Sequence, residues 1–241
     1  MKHNEFPMTR MLVSLVIIFL SLGLSIECSA ETPDNRKLQD YYEYWRNKYL
    51  KHSQQVDGGT FVDYKDNRTT CSEAHGYGML ICVYMSRFHE DTARKDFDAL
   101  EIFRRQFRSR IDSRLMSWYV DDKVGTPNKT TCATDGDLDI AYALILAAHE
   151  WKVPKYMAEA KKILAGIEAS LIRPDYSLRR GDWDRDQHAT RLSDIMPTHF
   201  DAFAQVSNRK LWRCVKGVHY SILRQMSLYE GVFPDFVVKG K

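Results

Sequence analysis

The sequence predicts an all-α protein, and three observations carry the prediction. Apolar residues recur at helical spacing in segment after segment, strand-like runs are few and short, and no proline-rich linker, low-complexity tract or composition break divides the chain after residue 31. At least six helices in one domain follow.

The elements run as follows. Residues 1–30 have the form of a secretory signal: Lys2 and Arg10 give a positive start, Met11 to Leu24 is a short apolar run, and Cys28-Ser29-Ala30 offers a small-residue cleavage site. That run is shorter than a membrane span of about 20 residues. The expected product is an extracellular chain, residues 31–241, with no membrane attachment after cleavage. Leu38 to Leu50 places Leu38, Tyr41, Trp45 and Tyr49 on one helix face, and Thr60 to Lys65 suits a short extended segment. Ser72 is the expected cap of a second helix containing Met79, Leu80, Val83 and Tyr84. A third begins at Asp91 or Thr92, with Phe97, Leu100, Phe103 and Phe107 as its apolar face. The helix starting near Thr134 has Ile140, Leu144, Ala147, Ala148 and Trp151 at helical spacing. Lys155 to Leu171, Met196 to Gln205 and Trp212 to Met226 complete the set.

Composition narrows the function. The chain carries 35 basic and 32 acidic side chains with no basic run, which argues against a nucleic-acid partner. Its 13 Tyr, 11 Phe and 5 Trp suit a carbohydrate cleft and suit a core equally well. Cys71, Cys82, Cys132 and Cys214 remain after cleavage. Their spacing matches no zinc pattern, and export would permit disulfides in any of the three connectivities. A Cys71–Cys132 bridge is one option if the acids beside them share a site; buried free thiols are the other. Asn67-Arg68-Thr69 and Asn128-Lys129-Thr130 are glycosylation sequons if the host is eukaryotic.

Two acidic stretches carry the chemistry. In Thr134-Asp135-Gly136-Asp137-Leu138-Asp139, Thr134 is the expected N-cap and Asp137 its capping-box partner, so that carboxylates gather at a helix mouth where free N–H groups keep them ionised. A calcium loop is a poor match, because its twelfth position, counted from Asp135, is Leu146 rather than an acid. In Ser72-Glu73-Ala74-His75-Gly76-Tyr77-Gly78, Glu73 lies at a second helix mouth. Gly76 and Gly78 each cost about 1 kcal/mol in a helix, which points to close approach by a backbone or a ligand. Glu73 is expected to pack among Tyr77, His75 and apolar neighbours, where desolvation would favour its protonated form. Acids at helix starts are also common as simple dipole partners, and His75 is left outside the chemistry. A protonated acid and a carboxylate on different helix mouths suit hydrolysis of a glycosidic bond. Tyr77, Trp118, Trp183 and Trp45 are candidate sugar platforms.

These two stretches resemble the signature and general-acid segments of glycoside hydrolase family 8, the family of endoglucanases, chitosanases, lichenases and xylanases. The resemblance continues through Leu115 to Trp118, Leu178 to Trp183, Thr190 to Pro197 and Gly231 to Val238. It implies an (α/α)6 barrel and a monomeric inverting endo-hydrolase of β-1,4-linked polysaccharide that needs no metal or other cofactor. Glu73 falls on the family's proton donor. Asp135 falls on the second catalytic acid, described in the signature as nucleophile and read here as positioning sugar and water, and Asp137, Tyr77, Trp118, Trp183, Arg191 and Asp194 are the expected substrate contacts. Two departures stand out. Ile195 occupies a position that is usually aromatic, and the family continues past Val238 into the last helices and, in many members, the general-base aspartate. The expectation is a shortened member with a barrel incomplete at its C-terminus, either a hydrolase of glucan or chitosan or a sugar-binding remnant without catalysis. For chitosan, Asp182, Asp184, Asp186 and Asp194 would be the carboxylates facing its amines.

Overall fold

The computed structural model describes residues 33–125, 130–186, 189–226 and 234–238. The signal segment and the sequon at Asn128 lie outside the described residues. The chain divides into two units, residues 1–38 and 39–241, and of the first the described part is 33–38.

Six α-helices dominate the described residues: α1 (Pro33–Tyr49), α2 (Ser72–Gln106), α3 (Thr134–Glu150), α4 (Pro154–Ser170), α5 (Pro197–Val206) and α6 (Arg209–Met226). The strands are three residues long and pair antiparallel in three ribbons: β1 (Leu50–His52) with β2 (Thr60–Val62), β3 (Thr69–Cys71) with β4 (Tyr119–Asp121), and β5 (Ala189–Arg191) with β6 (Phe236–Val238). The sequence places a helix start at Asp91 or Thr92. Here α2 leaves helical geometry at His89 (φ −145°, ψ 54°), so the two expected helices meet at a kink. Pro154 and Pro197 each begin a helix, where the missing N–H has no intrahelical partner to lose.

α3 is the axis of the core. It packs against α2 on one side and α4 on the other, and it also touches α5; α5 in turn packs on α6. The sequence shows one apolar face on α3, but the helix is buried nearly all round, because Leu138, Ala141, Ala143 and Ile145 are enclosed along with Ile140 and Leu144. Phe97 meets Trp151 and Tyr156 edge-on at 5.1 and 5.2 Å, and the Trp151 indole donates to Ser86 Oγ at 2.8 Å. Trp45, a candidate sugar platform, instead packs against this core. Cys71, Cys82, Cys132 and Cys214 are all free, so no Cys71–Cys132 bridge forms. Among the described residues no helix is long and apolar enough to cross a membrane.

Candidate active site

Backbone pairing brings the mouths of α2 and α3 together. Ser72 N–H donates to the Trp118 carbonyl (3.1 Å) and Trp118 N–H to the Thr131 carbonyl (2.8 Å), so one residue ties the lead-ins of both helices. The caps differ from expectation by one residue. Cys71, not Ser72, caps α2, its sulfur accepting from Ala74 N–H at 3.5 Å. Ala133 caps α3 with no side-chain bond, because Thr134 is drawn away: its N–H donates to the Arg180 carbonyl (3.1 Å) and its hydroxyl to the Arg179 carbonyl (2.6 Å). A Cβ added to Gly76 would stand 2.7 Å from the Asp139 Cβ, so the glycine there serves close approach of the two helices.

The three aspartates of α3 take three partners. Residues four apart share a helix face and those two apart lie about 200° around it. Asp135 accepts from Arg191 Nη1 at 3.0 Å and from Gly136 N–H at 2.9 Å. Asp139, on the same face, bonds His199 Nε2 at 2.8 Å. Asp137 points the other way, fully buried, and accepts the Met116 N–H at 2.8 Å. Burial pushes the Asp137 carboxyl up to about 8, against the Met116 bond and the Arg104 charge. It therefore anchors the 116–118 loop and neither caps the helix nor reaches the cleft.

Glu73 and Asp135 open on the same space. A cavity of about 620 Å³ is bounded by both, by Trp118 and Trp183, and by Arg180 and Arg191. A second of about 470 Å³ shares Glu73, Asp135 and Arg191 and is closed by Asp235 and Phe236. Glu73 is exposed on this wall and accepts from the Tyr77 hydroxyl at 3.0 Å; the enclosure among His75 and apolar neighbours that the sequence suggests is absent. His75 is fully buried and bonds the Leu100 carbonyl at 2.8 Å. Trp118 and Trp183 are 45% and 44% exposed, and the Arg180 guanidinium carbon lies 5.3 Å from the Trp183 ring centroid. Tyr77 touches the site through Glu73. Asp194 is fully buried and lines neither cavity.

Three of the four acids named for chitosan have partners of their own. Asp182, buried, accepts from Ser109 Oγ, Asp112 N–H (3.2 Å) and Cys132 N–H (3.0 Å). Asp184, also buried, binds Arg173 (3.2 Å) and Arg180 (2.9 Å); against the upward push of burial, the Arg180 bonds hold it down at about 2. Asp186 lies 3.9 Å from Arg180. Arg180, Asp235 and Phe236 are site residues that sequence reasoning did not single out. Phe236 reaches the cleft because β6 pairs with β5, Arg191 opposite Phe236, and its ring then lies 5.9 Å from both the Arg180 and Arg191 guanidinium carbons. No group of three or more His, Cys, Asp or Glu suited to a metal occurs among the described residues.

An acid pair at adjoining helix mouths thus lines a cleft that two indoles also border. The chain belongs to glycosyl hydrolases family 8, whose family model matches residues 5–241. It is 35% identical to an endoglucanase of Bacillus sp. (strain KSM-330) over 224 residues, which is 86% of this chain and 48% of that protein. It is also 35% identical to a beta-glucanase of Niallia circulans over 208 residues, 82% of this chain and 50% of that protein. Among solved structures it resembles a β-1,3-1,4-glucanase from Paenibacillus sp. X4, with a TM-score of 0.79 and 34% identity over 85% of this chain and 56% of that one. The fold class is that of these enzymes, the all-α (α/α)6 barrel. The chain spans about half the length of the curated relatives it matches.

Proposed function

We propose that the chain carries the acid side of a secreted, endo-acting, inverting hydrolase of β-1,4-linked glucan. The observation that carries this is that Glu73 and Asp135 line one cleft, Glu73 exposed and Asp135 buried against Arg191. Asp135 is held by Arg191 at 3.0 Å. Glu73 is open to ligand, with the Tyr77 hydroxyl at its back. Glu73 donates a proton to the glycosidic oxygen as the C1–O bond breaks, and water adds to C1 from the opposite face, its surplus proton passing to solvent water. Asp135 is assigned to the sugar hydroxyls and to the placement of that water. Trp118 and Trp183 present apolar faces to the sugar rings.

A neutral glucan fits better than chitosan. Two arginines, Arg180 and Arg191, balance Glu73 and Asp135 on the cleft wall. Asp182 and Asp184 are bonded to backbone and to arginine, and neither lines the cleft to meet a polyamine. The relatives' names, endoglucanase and beta-glucanase, point the same way.

The test is reducing-end release from carboxymethylcellulose, lichenan, xylan and chitosan. The wild-type chain should act on the glucans and spare chitosan. Glu73→Gln should lose about 100- to 10,000-fold in rate, the span expected for a general acid, with an unchanged circular-dichroism spectrum and melting point. Unchanged turnover in that variant overturns the assignment. Oligosaccharide binding without release by the wild type would make the chain a sugar-binding module.

A further inference from the structure

Asp194 is the unexplained carboxyl of this site. It closes the short 3-10 turn Leu192–Asp194, three residues after Arg191. It is fully buried, and neither of its oxygens has a hydrogen-bond partner. Buried polar groups are rarely left unpaired, so an orphaned carboxyl beside an active site calls for a cause. Among the described residues the cation within ion-pairing distance is Arg191, whose Nη1 lies 4.0 Å from Asp194 Oδ1 and 3.0 Å from Asp135 Oδ2. One guanidinium nitrogen thus stands between a carboxylate on the cleft and a carboxyl behind it.

We propose that Asp194 is a positioning residue that sets how Arg191 holds Asp135. This rests on the assignment of Asp135 to the sugar. The charged groups facing Asp194 are Asp135 and Glu73, which oppose its ionisation, and Arg191 and Arg180, which favour it. Burial first, and then the Asp135 carboxylate, push the Asp194 carboxyl up to about 8. Below that pH Asp194 is neutral and leaves the guanidinium on Asp135. Above it a second carboxylate competes for the same nitrogen, the Asp135 contact loosens, and the sugar loses its fixed partner.

The test uses the full chain with Asp194→Asn and, should that variant fold poorly, Asp194→Ser; neither side chain can ionise. Carboxyl 13C NMR should show the Asp135 signal stepping near pH 8 in the wild type and lacking that step in the variants. On lichenan, kcat/KM of the wild type should fall through the same pH. The variants should retain neutral-pH activity and lose this alkaline limb. The same Asp135 step persisting in both variants, or absent from the wild type, overturns the proposal. A step that vanishes as expected while the hydrolysis profile stays unchanged keeps Asp194 as the positioning residue and removes Asp135 from the sugar instead.

Discussion

A Cβ added to Gly136 would stand 2.6 Å from the Cβ of Ser72, a separation that real side chains do not reach. The first turns of α2 and α3 are therefore in contact at a point where one of them has no side chain. Glu73 follows Ser72 and Asp135 precedes Gly136, so the distance between the two acids is set at this contact. Gly136→Ala should force the helix mouths apart and destabilise the fold by about 1–3 kcal/mol, the usual cost of overpacking. Hydrolysis should fall further than stability explains, because misplacement of about 1 Å at a reacting centre can cost about 100-fold. Chemical denaturation and turnover of the same variant check both parts, and full activity would show that the contact does not set the site.

The rim should respond differently. Trp118 and Trp183 are half exposed, so Trp→Ala at either should change stability by less than about 0.5 kcal/mol. Oligosaccharide affinity should drop by about 1 kcal/mol, or roughly fivefold, the order of one aromatic contact. Titration calorimetry with cellohexaose measures this, and equal affinity in both variants would remove the indoles from the sugar path.

Stability should vary with pH in a direction that buried groups fix. Asp137 and Asp194 have folded pKa values raised to about 8 from 3.8, so the unfolded chain ionises first. Their contribution is fully present below about 4 and is lost as pH rises toward 8. His75 is lowered by burial to about 4, and His219 is lowered likewise. Their contribution is present above 6.5 and is lost as pH falls toward the folded values. The two sets oppose each other between about 4 and 6.5, while from 6.5 to 8 the aspartates act alone. The melting temperature should therefore fall across 6.5 to 8, and Asp137→Asn, which keeps an oxygen for the Met116 amide, should flatten that fall. A melting temperature that climbs through this interval would contradict the assignment.

Cys71 offers a chemical handle. It caps α2, lines the larger cavity beside Glu73 and is half buried, and burial pushes its thiol pKa upward. Iodoacetamide should modify it slowly at neutral pH and faster as pH rises, because the thiolate is the nucleophile. The added group would occupy the space next to Glu73, and hydrolysis should decay in step with Cys71 modification followed by mass spectrometry. Cys71→Ser should be protected. Complete modification with undiminished turnover would place the thiol away from the substrate path.

Much of this architecture is legible in the sequence, and the rest fails for identifiable reasons. Apolar spacing locates the helices, and Asp91-Thr92 marks the restart after the kink at His89. Glu73 and Asp135 stand out because acids, glycines and helix starts coincide. The caps are misread by one residue because Thr134 spends its hydroxyl on the Arg179 carbonyl, a tertiary partner that local patterning does not contain. Asp137 and Asp194 look like Asp135 in sequence; all three are buried, and only the folded chain shows that Asp135 lines the cleft while the other two do not. Asp235 and Phe236 enter the cleft through the β5–β6 pairing, whose register no short-range signal specifies.

The acids and the rim stand on different kinds of support. Asp135 sits on a helix enclosed on nearly every side, while Trp118 and Trp183 stand half exposed outside the helices. On the proposed function, substrate preference and bond-breaking should separate under mutation. Variation at the rim should change which polysaccharide is admitted at little cost to the core, whereas the acid-bearing turn of α3 should tolerate little change. A laboratory seeking a new glycan specificity would diversify positions 118 and 183 and leave 134–139 untouched.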